Sequence, residues 1–128
     1  MSTIFPDDRH YSREHEWVRV EGDTAVIGIT SFAADELGDI VYVELPEIGS
    51  HLTQFGTFGV VESVKAVSDL FAPISGEVAE VNVDLRSSPE LLNTDPFDTG
   101  WIAKVRLSDA AELEKLMDAG SYAELTAG

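Results

Sequence analysis

The feature that most constrains this chain is its punctuation. Across the first two-thirds, short runs of alternating or β-branched residues are cut at close intervals by turn formers. Trp17-Val18-Arg19-Val20 alternates, Glu21-Gly22-Asp23 turns, and residues 24–30 (TAVIGIT) return as the second arm of a hairpin. Residues 39–45 (DIVYVEL) read as a strand that Pro46-Glu47-Ile48-Gly49 ends. Residues 57–64 and 67–71 are two more apolar, β-rich runs. After Pro73 and the turn Ser75-Gly76, an alternating strand covers 77–83, and 100–107 (GWIAKVRL) is the last strand. Many short strands with short helices at the periphery make a mainly β fold.

The helical signals are brief. Residues 31–37 (SFAADEL) form a short helix that Ser31 caps and Gly38 ends, and residues 88–92 form another with Pro89 in its first turn. In the tail, Ser108 caps a helix running through Asp109, Leu113, Leu116 and Met117, which Gly120 interrupts before one more turn over 121–125. Gly38-Asp39-Ile40-Val41-Tyr42-Val43 is echoed at an offset of 38 by Gly76-Glu77-Val78-Ala79-Glu80-Val81. Such an echo suits two related β halves closing on one core. The 128 residues are the size of one domain, with a strand core over about 16–107 and a helical segment over about 108–128.

Eight basic residues stand against 24 acidic ones, a formal charge of −16. Nucleic acid and anionic membrane are poor partners for such a surface, because phosphate contacts need Lys and Arg. Basic patches on partner proteins are better ones. The absence of cysteine excludes a disulfide framework, a thiolate nucleophile and a Cys-ligated metal. His10, His15 and His51 lack metal-ligand spacing. No Ser-His-Asp set, phosphate loop or metal cluster is visible, so the chain reads as no enzyme. Residues 1–11 have no apolar targeting run and no segment is long enough to span a bilayer, which gives a cytoplasmic expectation.

One cation is conspicuous. Lys65 is the only Lys or Arg between Arg19 and Arg86, an interval that holds twelve acids. Its neighbours Ser63, Val64, Ala66 and Val67 are small or apolar, and it stands at a bend that lacks the usual Asn-Gly signal. A solvated lysine guarding a strand edge explains it more readily than a recognised modification site does. Schiff-base catalysis needs burial or a neighbouring cation, and the sequence offers neither.

The stretch GVVESVKAVSDLFAPISGEVAEVN, residues 59–82, resembles the lipoyl-lysine region of the glycine cleavage system H proteins. The likeness extends to His15-Glu16-Trp17-Val18, Ile27-Gly28-Ile29-Thr30, the segment Leu37 to Pro46, Pro89-Glu90-Leu91-Leu92-Asn93 and Gly100-Trp101-Ile102. Several spaced motifs in order are far more specific than one. The resemblance implies a barrel-sandwich hybrid of the lipoyl/biotinyl type with peripheral helices and a C-terminal helix. It implies covalent lipoate on Lys65, added by a lipoate-attaching enzyme. It also implies three partners: a glycine decarboxylase, an aminomethyltransferase and a dihydrolipoamide dehydrogenase. The redox sulfurs then belong to the cofactor.

By the same resemblance, Glu16 and Asp69 match acidic positions of a groove that shelters the loaded arm. Glu14 stands where some relatives carry serine, and Phe32 where relatives often carry His or Tyr. A lipoyl or octanoyl reservoir that donates to other lipoyl proteins is the alternative; Glu16, Asp69 and the C-terminal helix favour glycine cleavage. A biotin carrier is disfavoured because Val64 and Ala66 flank the lysine where methionines are usual.

Overall fold

The computed structural model describes residues 5–127. Among the described residues, nine strands form two antiparallel sheets. β1 (His10–Tyr11), β2 (Glu16–Glu21), β3 (Thr24–Ile29), β5 (His51–Leu52), β8 (Gly76–Val81) and β9 (Ala103–Leu107) make the larger, in the order β1-β2-β3-β9-β8-β5. β4 (Ile40–Glu44), β6 (Thr57–Ser63) and β7 (Val67–Phe71) make the smaller, in the order β4-β6-β7. The helices are α1 (Ser31–Leu37), α2 (Asp84–Ser87), α3 (Leu91–Thr94) and α4 (Ala119–Ala127), with a 3-10 helix over Ala110–Lys115. This is the expected mainly β, barrel-sandwich arrangement.

Alternation places the core between the sheets. Val18, Ile27, Val78 and Val105 from the larger sheet meet Val43, Val61 and Leu70 from the smaller, each at most 3% exposed. The echo divides between the halves: β4 lies in one sheet and β8 in the other, with Ile40 and Val78 both buried. β3 is buried at five successive positions, because it is covered on both faces. On its outer side a second cluster joins Phe5, Tyr11, Trp17, Val26 and Tyr122. Tyr122 brings α4 onto this cluster by stacking on Tyr11 at 4.8 Å between ring centroids.

Several boundaries differ from expectation for local physical reasons. Thr30, not Ser31, caps α1: it is still extended as β3 ends, and its Oγ1 accepts from Ala33 N at 3.2 Å. The Ser31 hydroxyl, one residue inside the helix, is buried without a partner. Gly38 does end α1, at φ +80. The helix expected over 88–92 is α3, which begins after Pro89; the strand expected over 77–83 ends at Val81, and α2 follows it from Asp84. The last strand starts at Ala103 rather than 100.

The tail is reorganised by a tertiary contact. Tyr11 and Met117 exchange backbone hydrogen bonds at 2.8 Å each, which draws Leu116 into an extended conformation and splits the expected helix. Asp109 rather than Ser108 caps the 3-10 piece. Gly120 does not interrupt a helix; it sits in the first turn of α4, where amide groups lack intrahelical partners and a glycine costs little. Asp118 opens that turn by accepting from Ser121 N at 2.8 Å. No helix among the described residues is long and apolar enough to cross a membrane.

Candidate functional site

Lys65 occupies the tip of the β6–β7 hairpin and is exposed. The bend works without glycine because Ser63 supplies what the backbone lacks. Its Oγ accepts from Lys65 N at 3.2 Å and from Ala66 N at 3.0 Å, and its own N–H donates to Ala66 O at 2.8 Å. Val64 N donates to Asp39 O at 3.0 Å, so the tip is also tied to the end of α1 and the start of β4. The aliphatic stem of Lys65 passes over Gly38, where a Cβ would meet its Cε at 3.4 Å. Lys65 takes part in none of the described ion pairs, and Val64 and Val67 beside it are 69% and 68% exposed.

From this tip the outward face of β7 presents Val67, Asp69 and Phe71 in succession, while Leu70 points to the core. Asp69 is exposed and stands opposite Val60. Phe71 lines a concavity of about 340 Å³ with Arg13, Glu14, Phe55 and Lys115. The apolar rings and the charged rim suit a chain with a polar end.

Glu16 lies under this concavity rather than in its wall. It is 3% exposed; its Oε1 accepts from the Ser12 hydroxyl at 2.8 Å and its Oε2 from Phe71 N at 3.3 Å. Burial pushes its carboxyl up to about 8, against the lowering effect of those two donors. Beside it, His15 takes a left-handed φ of +73 and its Nδ1 lies 2.7 Å from the Tyr122 hydroxyl. That hydroxyl also meets Thr30 Oγ1 at 2.7 Å. Burial lowers the His15 imidazole below its ordinary value, so the ring is mostly neutral at pH 7. Phe32 packs on His15 with ring centroids 4.7 Å apart. Among the described residues no cluster of His, Asp or Glu has metal-site geometry.

Of the acids singled out in the sequence, Glu14 lines the concavity, Glu16 reaches it only from beneath, and Asp69 stands on its approach, next along the strand from Phe71's face. Ser12, Phe55, Phe71, Lys115 and Tyr122 were not legible as one site, since five separate segments bring them together.

The family model "Glycine cleavage H-protein" matches residues 9–127. The chain belongs to that family. A glycine cleavage system H protein of Symbiobacterium thermophilum is 60% identical over 121 residues, covering 94% of each chain. A probable glycine cleavage system H protein of Haloarcula marismortui is 57% identical over 122 residues, 95% of this chain and 96% of that one. The crystal structure of a glycine cleavage system H protein from Mycobacterium marinum shares 38% identity and a TM-score of 0.89, covering 97% of this chain and 100% of that one. Members of the glycine cleavage H-protein family are lipoyl carriers of a multienzyme system and not catalysts by themselves.

Proposed function

We propose that this chain carries lipoate on Lys65 and shuttles the aminomethyl group of glycine from a glycine decarboxylase to an aminomethyltransferase, after which a dihydrolipoamide dehydrogenase reoxidises the carrier. The observation that carries the reading is the setting of Lys65: an exposed amine outside every described ion pair, on a bend whose backbone is fixed from both sides. A lipoate-attaching enzyme needs an accessible lysine at a fixed place, and this residue fits that need. Lipoate bound there supplies a disulfide and dithiol pair that takes up the one-carbon unit and two electrons, chemistry that a chain without cysteine lacks.

The remaining residues act by placement. Val67, Asp69 and Phe71 form a path from the tip to the concavity, apolar enough to receive a hydrocarbon arm and acidic enough to favour a cationic end. Glu14 offers its carboxyl at the rim, and Glu16 holds its own in a nearly dry setting, where a protonated amine favours its ionised form and the resulting ion pair is strengthened. Excluding water from that amine slows its hydrolytic loss.

Intact-mass analysis of protein made in a lipoylation-competent host tests this. One lipoyl group is expected on the wild-type chain and none on Lys65→Arg. An unmodified wild-type mass, or a lipoyl group that survives Lys65→Arg, overturns the assignment. Glycine-dependent carbon dioxide exchange with a glycine decarboxylase then separates the shuttle from a role in donating acyl groups to other lipoyl proteins.

A further inference from the structure

The Glu16 carboxyl is held by a loop built for it. Ser12 lies four residues earlier, is 2% exposed, and closes a ring with Glu16 through three hydrogen bonds. Its hydroxyl donates to Glu16 Oε1 at 2.8 Å and accepts from Glu16 N at 3.1 Å, while Ser12 N donates to Glu16 O at 2.9 Å. His15, at φ +73, makes the reversal between them. The other oxygen, Oε2, has only the longer 3.3 Å contact with Phe71 N, on the side of the concavity that Phe71 lines.

The titratable groups around this carboxyl are Glu14 on the same loop and Tyr122 on α4, with Arg13 and Lys115 at the rim of the concavity. Neither Glu14 nor Tyr122 favours a negative charge on Glu16. Ser12 is therefore the side-chain donor that lowers the cost of ionising it.

We propose that Ser12 is a positioning residue for the loaded arm: its hydroxyl fixes Glu16 Oε1, directs Oε2 toward the Phe71 side of the concavity, and makes the carboxylate form accessible when a cationic group arrives there. The inference rests on the assignment of Lys65 and Glu16 proposed above. Ser12 touches neither cofactor nor amine; it acts through Glu16.

The test begins on unmodified protein. A 13C titration of the Glu16 carboxyl is expected to show a midpoint about one pH unit higher in Ser12→Ala, because a hydrogen bond donated to the charged form is lost. Ser12→Thr, which keeps the hydroxyl, returns to the wild-type midpoint. In the wild-type chain itself the Ser12 Cβ resonance titrates with Glu16, a readout that needs no variant. A Ser12→Ala midpoint equal to wild type, or a Ser12 Cβ signal indifferent to the Glu16 titration, overturns the inference.

On lipoylated, aminomethyl-loaded protein, the pH at which hydrolytic loss slows is expected to rise by the same interval in Ser12→Ala. If Glu16→Gln decays no faster than wild type, the proposed role of Glu16 itself fails. If Glu16→Gln loses protection while Ser12→Ala keeps the wild-type pH profile, the role of Ser12 alone fails.

Discussion

Glu16→Gln keeps the shape of a buried side chain and removes its proton-binding site, so it isolates what that carboxyl costs the fold. In the unfolded chain the group titrates near its ordinary value of 4.5; in the fold, burial holds it at about 8. Below 4.5 both states are protonated and the group imposes no penalty. Between 4.5 and about 8 the unfolded chain is ionised while the folded chain keeps its proton, so stability falls as pH rises and levels off above about 8. At about 1.4 kcal/mol per pH unit, the full loss is on the order of 5 kcal/mol, a large part of the roughly 5–15 kcal/mol that holds a domain folded.

Urea unfolding followed by the fluorescence of buried Trp17, at intervals from pH 5 to 9, measures it. His15 works with the opposite sign: its lowered value adds stability that is complete above about 6.5 and lost as pH falls. It is present in both proteins and cancels in their difference. The Gln side chain places an NH2 or a carbonyl against Phe71 N–H, an offset that does not vary with pH. The stability of Glu16→Gln relative to wild type is therefore expected to grow by about 4 kcal/mol between pH 5 and pH 8.5. A difference that stays constant across that range refutes the reasoning, because it means the carboxyl is solvated in the fold.

Two other substitutions test the frame around the site. Tyr122→Phe deletes a hydroxyl that meets both His15 Nδ1 and Thr30 Oγ1 inside a fully buried setting; a loss of about 2 kcal/mol in urea unfolding is expected, with faster amide exchange in α4. Gly28→Ala places a Cβ 2.7 Å from the indole of Trp17, which is 0% exposed and anchored by Nε1 to Pro96 O at 3.0 Å. With no room to yield, about 3 kcal/mol of stability is expected to be lost, read as a lowered Tm with the Trp17 emission shifted.

The parts of the fold that were legible in the sequence are those set by local rules. The hairpin over Trp17 to Thr30 follows from alternation around Glu21-Gly22-Asp23, and the end of α1 follows from Gly38. Lys65 was conspicuous because charge scatter alone rarely leaves one cation among twelve acids. What was not legible depends on distant partners. Residues 108–117 read as one helix until Tyr11 pairs with Met117 and forces an extended break. Strands β1 and β5 have two residues each, too few to carry a period. Nothing in the sequence around Glu16 shows that it is enclosed; the Ser12 hydroxyl and the backbone of β7 at Phe71 close over its carboxyl. The Ser63 device at the bend is local, yet it hid because a hydroxyl accepting two amides leaves no glycine behind as a signal.

That bend has a consequence for encounter rates. With the backbone at Lys65 held by Ser63 on one side and by Asp39 on the other, the freedom of anything attached there begins at the side chain, not at a wandering loop. The attached end samples a small volume around a fixed origin, so its effective concentration at the concavity or at a docked partner is set by its own reach. Loosening the origin, as Ser63→Ala does, spreads the same arm over a larger volume and dilutes it at every destination, though no contact at any destination is touched.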